Sequence, residues 1–155
     1  MQIKRITLSE YKLVTDLFDK YRVFYKQPSD IRLAESFIKE RLENKESIIF
    51  VALADKGGEP VPAGFTQLYP LISSAKAAKN WLLNDLYVEA DYRKQGIGGA
   101  LIKTAMDFAR SQNSTFVKLE TAIDNYNAQK LYESIGFKKQ EPGNAFFAYQ
   151  IQLAQ

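Results

Sequence analysis

Leu13, Val14, Leu17, Phe18 and Tyr21 recur at steps of three and four residues, which predicts an amphipathic helix capped at Ser9 and ending across residues 25–28. A second helix follows, with Asp30 as its cap and Ala34, Phe37, Ile38 and Leu42 on one face. The period then changes. The apolar run at 48–54 reads as a buried strand, Gly57-Gly58 as a turn, and 63–69 and 81–88, rich in aromatic and branched residues, as the two middle strands of a sheet. Ile97, Leu101, Ala105 and Phe108 return to helical spacing directly after a glycine cluster. A strand at 115–120 comes next, then a helix with Ala128, Leu131, Tyr132 and Ile135 on one stripe, closed by Gly136. A short strand at 2–7 opens the chain, and alternating Phe147, Tyr149, Ile151 and Leu153 predict a terminal strand. Segments 55–62, 70–79 and 140–144 read as loops. This order predicts an α/β (α+β) layered sheet with helices on both faces, formed by residues 1–155 as one domain.

Composition narrows the chemistry. The 155 residues contain neither cysteine nor histidine, so disulfides, thiolate metal sites, acyl-cysteine intermediates and every Ser-His-Asp relay are excluded. Acid and base work falls to Asp, Glu, Tyr, Lys or water. Twenty-one basic residues against eighteen acidic ones leave a net charge of +3, and the cations are dispersed apart from pairs such as Arg93-Lys94. A nucleic-acid groove is not implied; a phosphate-bearing ligand is allowed. No apolar run reaches the roughly 18 residues a membrane span needs, and the first residues do not form a secretory block, so a cytoplasmic protein without a membrane partner is expected.

Three of the eight glycines and two cations fall in Arg93-Lys94-Gln95-Gly96-Ile97-Gly98-Gly99, between a strand and a helix. The first turn of a helix exposes unpaired N–H groups at the positive end of its dipole, and glycines let a phosphate approach that backbone. The plain alternative is a tight turn, but the adjacent cations favour phosphate. A Walker A loop fails because Lys103-Thr104 follows Ile102 inside the helix. A dinucleotide fingerprint is half met: the sixth position from Gly96 is Leu101, and seven residues separate the strand from the first glycine.

What remains is Arg93-x-x-Gly96-x-Gly98, preceded by Leu86-Tyr87-Val88, and Asn125-x-x-Ala128-x-x-Leu131-Tyr132-Glu133 followed by Gly136-Phe137. These linked motifs resemble the GNAT superfamily of acetyl-CoA-dependent N-acetyltransferases, closely over 81–137 and loosely over the whole chain. The first 45 residues carry no matching motif.

The resemblance implies a mixed, mostly antiparallel sheet splayed in its middle between the strands at 81–88 and 115–120, with the pantetheine arm of acetyl-CoA in the gap. The backbone of Leu86, Tyr87 and Val88 would bond its amides. The N–H groups from Lys94 through Gly99, including Gln95 and Ile97, would hold the pyrophosphate beside Arg93. Asn125 and Ala128 would complete the cofactor contacts, although Asn125 equally suits a helix cap. Tyr132 would protonate the departing thiolate, although its stripe equally suits packing. A phenol near pKa ~10 can serve a thiolate whose acid lies near ~8.5 when the transfer is positioned.

The acceptor amine must lose a proton before it attacks, and without histidine a carboxylate working through water is the expected route. Asp85 and Glu120 are the two candidates, Asp85 being equally open to a structural role. The family's polyamine-acetylating members have a glutamate where this chain has Asn84. With strand faces alternating, Asn84 and Asp85 are not expected to point the same way. The absence of cysteine makes direct transfer in a ternary complex the expected course.

Tyr21, Phe24, Tyr25, Tyr69 and Asn84 are the expected substrate contacts, with core packing the alternative for each aromatic. The resemblance implies a primary amine on a small molecule or peptide as the substrate class. A noncatalytic acyl-CoA-binding module and a nicotinamide-dependent oxidoreductase stand as alternatives. The edge of the terminal strand makes a homodimer an expectation as well.

Overall fold

A computed structural model describes residues 1–141 and 145–154. The loop expected at 140–144 therefore lies in part outside the described residues. The chain groups into two compact units, Met1–Glu120 and Thr121–Gln155.

In the first unit five strands, β1 (Gln2–Arg5), β2 (Ile48–Lys56), β3 (Glu59–Ser73), β4 (Ala78–Val88) and β5 (Val117–Lys118), form one sheet in chain order. Every neighbouring pair is antiparallel except β4 and β5. The fold class is thus the one expected, a mixed and mostly antiparallel sheet with helices on both faces.

Helices α1 (Lys12–Phe24) and α2 (Ile31–Glu43) cover one face, where Val14, Leu17, Phe18, Ala34 and Ile38 pack with Ile49, Val51 and Phe65. Helix α3 (Ile97–Ser111) covers the other, where Phe108 meets Phe50 and Trp81 edge-on at 6.0 and 5.0 Å. Each large apolar side chain so buried contributes about 1.5–3 kcal/mol, and the strands supply them alternately to the two faces.

Local chemistry sets the boundaries. Asp30 caps α2 as expected, accepting from the Leu33 N–H at 3.1 Å. Ser9 does not cap α1. A 3-10 turn at Leu8–Glu10 comes first, and Glu10 accepts from the Thr7 N–H at 3.0 Å, so the chain enters the helical layer two residues earlier.

Two expected loops are mostly strand. Gly57 and Gly58, with φ of 62° and 88°, make a two-residue hairpin whose Gly58 N–H is bonded by Asp55 Oδ1 at 2.8 Å, leaving 59–62 to pair with β2. Likewise β3 runs to Ser73 and β4 begins at Ala78. Pro70 is tolerated there because β2 pairs with β3 only as far as Leu68, so beyond that point β3 is an edge.

β5 is shorter than the expected 115–120. Its start is fixed by the buried Asn80 side chain, whose Oδ1 accepts from the N–H groups of Thr115 at 2.7 Å and Phe116 at 3.1 Å. It pairs with β4 only at Trp81↔Val117 and Leu82↔Lys118.

The second unit holds α4 (Tyr126–Ile135), capped by the Asn125 side chain on the Ala128 N–H at 3.2 Å and ended by Gly136 at φ 117°. The strand expected at 147–153 does not form. Among the described residues Phe147, Tyr149, Ile151 and Leu153 are exposed and pair with no strand, so the edge on which the homodimer expectation rested is not seen there; alternation alone does not make a strand without a partner to accept its hydrogen bonds.

Candidate active site

From the end of β4 the chain passes through a 3-10 turn at Ala90–Tyr92 and enters α3 by way of Lys94 and Gly96, both left-handed at φ 62° and 82°. The first bond of the helix runs from the Ala100 N–H to the Gly96 carbonyl at 3.0 Å. Among the described residues no acceptor meets the N–H groups of Lys94, Gln95, Gly96, Ile97, Gly98 and Gly99. Six consecutive free donors at the positive end of a fifteen-residue helix are an arrangement suited to an anion. The side chains of Lys94 and Gln95 are exposed beside it.

β4 supplies the adjoining edge. Past Leu82 no strand lies on its β5 side among the described residues. The Glu89 N–H donates to the Ala63 carbonyl at 2.8 Å, so by alternation Tyr87 turns its peptide groups toward β3 while Leu86 and Val88 turn theirs to the open side. Of the three backbone positions expected to meet a pantetheine arm, two face the gap and Tyr87 does not. Arg93 reaches back to this edge, its Nε donating to the Val88 carbonyl at 2.9 Å and its guanidinium lying 5.6 Å from the Tyr87 ring centre.

The register of β3 against β4 shifts between Gln67↔Asp85 and Leu68↔Leu83, leaving Asn84 as an extra residue in β4. Such a bulge breaks the alternation of faces. Asp85 joins Tyr87 on the side of α1 and α2, and the adjacent Asn84 turns far enough to donate from Nδ2 to Asp85 Oδ1 at 2.7 Å. The expectation that these two side chains point apart is thereby corrected.

Asp85 is 1% exposed. Its other oxygen accepts from Gln67 Nε2 at 2.6 Å, and Gln67 Oε1 in turn accepts from Ser47 Oγ at 2.7 Å. Burial pushes the carboxyl above its ordinary value, opposed by the hydrogen bonds from Asn84, Gln67 and Tyr21. The Tyr21 hydroxyl also bonds the Asn84 carbonyl at 3.3 Å. Desolvation, and then the charge of Asp85, push the phenols of Tyr21 and Tyr69 upward.

The structure therefore brings Tyr21, Tyr69, Asn84 and Asp85 together, and Tyr25 joins them with its ring 4.9 Å from that of Tyr21. Phe24 and Tyr25 are more than half exposed and pack edge-on at 5.3 Å, forming an aromatic rim at the end of α1. Glu120 lies two residues beyond β5 and is exposed. In the second unit Asn125 does act as the helix cap, Ala128 receives its bond, and Tyr132 sits half-buried with its ring 6.1 Å from Phe137.

Gln67 and Ser47 were not singled out by sequence. The available signal was a glutamine inside the strand 63–69, between Phe65 and Leu68, where a buried amide needs partners for both its ends.

Residues 11–137 match the model of the acetyltransferase (GNAT) family. The chain is 40% identical to the uncharacterised N-acetyltransferase YhfO of Bacillus subtilis (strain 168), over 90% of this chain and 91% of that protein. It is similar to the crystal structure of a probable acetyltransferase, with a TM-score of 0.87, 38% identity and coverage of 100% and 99% of the two chains. It also shares its fold, at a TM-score of 0.75 and 19% identity over 97% and 96% of the chains, with an aminoglycoside acetyltransferase from an uncultured soil metagenomic sample solved in complex with sisomicin.

Proposed function

The chain belongs to the acetyltransferase (GNAT) family, and from that premise we propose that it moves the acetyl group of acetyl-CoA directly to a primary amine of a small molecule or peptide. The observation that carries this reading is the run of six unpartnered N–H groups from Lys94 through Gly99, beside an open β4 edge. A pyrophosphate satisfies the first and the amides of a pantetheine arm satisfy the second through Leu86 and Val88.

In the reaction the amine nitrogen bonds to the thioester carbonyl carbon, the carbon–sulfur bond breaks, the amine gives up a proton and the thiolate takes one. We assign proton acceptance to Asp85, which is ringed by Tyr21, Tyr69 and Asn84 and linked to the amine by the Tyr21 hydroxyl or a water. Glu120, exposed beyond β5, has no comparable setting. Proton donation to the thiolate is assigned to Tyr132 on the strength of the motif around it. Holding the nitrogen about 3–3.5 Å from the carbon replaces a bimolecular encounter with a unimolecular one, which is where most of the acceleration arises. The N–H of Val88 is the proposed donor to the carbonyl oxygen as its charge grows. The aromatic rim of Phe24 and Tyr25 is assigned to the amine's body, small polyamines, amino acids, aminoglycosides and peptide termini being the classes to screen.

Release of free thiol from acetyl-CoA against a panel of those four classes tests the proposal, with thermal melting alongside. Acetyl-CoA is expected to raise Tm by mass action, and at least one amine to release thiol. Stabilisation without release from any class would leave a noncatalytic acyl-CoA-binding module as the better account. A Gly98→Val variant, which sets a branched side chain over the free N–H groups, is expected to lose the acetyl-CoA shift; an unchanged shift would remove the phosphate from this turn.

A further inference from the structure

Asp85 is a carboxylate in an apolar place, and burial favours its protonated form. A proton acceptor must instead begin empty. The side chains around it are arranged to that end. Gln67 Nε2 donates to Oδ2 at 2.6 Å and Asn84 Nδ2 to Oδ1 at 2.7 Å, so each oxygen has its own amide donor.

A glutamine amide is ambivalent, since rotating it by half a turn would aim its own oxygen at the carboxylate. The ionised carboxylate settles that choice, because it accepts only and so takes the Nε2 end. The Ser47 hydroxyl, able to donate or accept, then donates to Gln67 Oε1 at 2.7 Å and satisfies the far end of the amide. Ser47, Gln67 and Asp85 are all buried. The Thr66 hydroxyl, donating to the Asp85 backbone carbonyl at 2.8 Å, holds the strand in register at the same point.

We infer that Gln67, held at its far end by Ser47, is a positioning residue that favours the ionised form of the Asp85 carboxylate and aims it for receipt of the substrate's proton. The inference rests on the reading of Asp85 as proton acceptor. The groups facing Asp85 are Tyr21 from α1, Gln67 and Tyr69 from β3, and Asn84 beside it on β4. Among the described residues no cation acts on it. Arg41 of α2 and Glu46 bear on Tyr69, and Tyr25 bears on Tyr21. Amide donors are therefore the means of stabilising the charge, a hydrogen bond to an ionised group being stronger than one between neutral partners.

The test is the pH titration of the Asp85 carboxyl carbon by NMR in the whole protein labelled with 13C-aspartate, read with and without acetyl-CoA. It is combined with the pH profile of kcat/KM for whichever panel amine releases thiol fastest. Asp85→Asn identifies the resonance by its loss. Gln67→Leu is expected to raise the Asp85 midpoint by about one to two pH units, the equivalent of one charge-assisted hydrogen bond, and to move the acid limb of the profile by the same amount. Ser47→Ala, a milder change that also guards against misfolding of the first, is expected to move both in the same direction by less. A midpoint unchanged in both folded variants overturns the role of Gln67. If Asp85→Asn alone leaves the acid limb in place, the parent reading of Asp85 as acceptor fails instead, and the two failures are told apart by that variant.

Discussion

Arg93 Nε and the Val88 carbonyl stand 2.9 Å apart, which ties the glycine-rich turn to the last residue of β4. The arginine of the glycine motif thus spends one donor on its own backbone, leaving the two Nη groups for a ligand.

Replacing Arg93 by lysine keeps the charge and removes the planar donor that holds Val88. KM for acetyl-CoA is expected to rise about fivefold with kcat nearly unchanged, the net value of one solvent-exposed hydrogen bond lost from uniform binding. Steady-state kinetics at fixed ionic strength measures this, and a fall in kcat at constant KM would mean that the tie serves the chemical step.

Gly64 is needed where β3 passes β4. A Cβ there would lie 2.8 Å from the Tyr87 carbonyl oxygen, a backbone atom, and 3.4 Å from side-chain atoms of both Ile97 and Leu101. Gly64→Ala is expected to destabilise by about 1–3 kcal/mol, because neither β4 nor the start of α3 can yield without moving the other. Thermal melting gives the stability, and the acetyl-CoA shift in the same experiment should shrink, since both moved elements border the proposed cofactor site.

These contacts show where sequence was informative. The period of three and four gave α1 through α4, because each helix buries one stripe, and the glycine cluster gave the start of α3, because only glycine leaves that backbone bare. The bulge at Asn84 was not legible: it arises from the mismatch of β3 and β4 around Gln67 and Leu68, a pairing property no single segment carries. With it went the facing of Asn84 and Asp85 and the role of Gln67. Ser9 is not the cap for a related reason: the Thr7 N–H bonds the Glu10 carboxylate, so the turn begins before Ser9. At 147–153 the alternating pattern specified which residues would share a face, but not a partner strand.

Asp85 makes stability depend on pH in a definite direction. Its carboxyl is raised above the ordinary 3.8 in the folded state, so the native protein holds more protons than the unfolded chain across that interval. The contribution is greatest below pH 3.8 and is lost as pH rises through the folded value. Asp85→Asn abolishes this one contribution, so the Tm of the native sequence minus that of the variant is expected to fall steadily from pH 4 upward until Asp85 is fully ionised. Melting curves of both proteins in matched buffers measure the difference. A difference rising with pH would mean that the amide donors outweigh burial and that the folded value lies below the ordinary one.

Tyr132 offers the separation of chemistry from binding. It belongs to the second unit, on α4 after the Asn125 cap, where Leu131 and Ile135 share its stripe. Removing only the hydroxyl by Tyr132→Phe preserves the ring that meets Phe137, so packing is largely retained. If the phenol supplies the thiolate's proton, kcat is expected to fall by about a hundredfold, at the lower end for general acid catalysis, with acetyl-CoA affinity kept. A thiol of low pKa needs less help in leaving. An acetyl thioester of an acidified CoA analogue should therefore recover most of the lost rate in Tyr132→Phe while gaining little in the native enzyme. Equal gains in both proteins would assign the proton to another donor, and a loss of acetyl-CoA affinity with kcat intact would make the hydroxyl a binding contact.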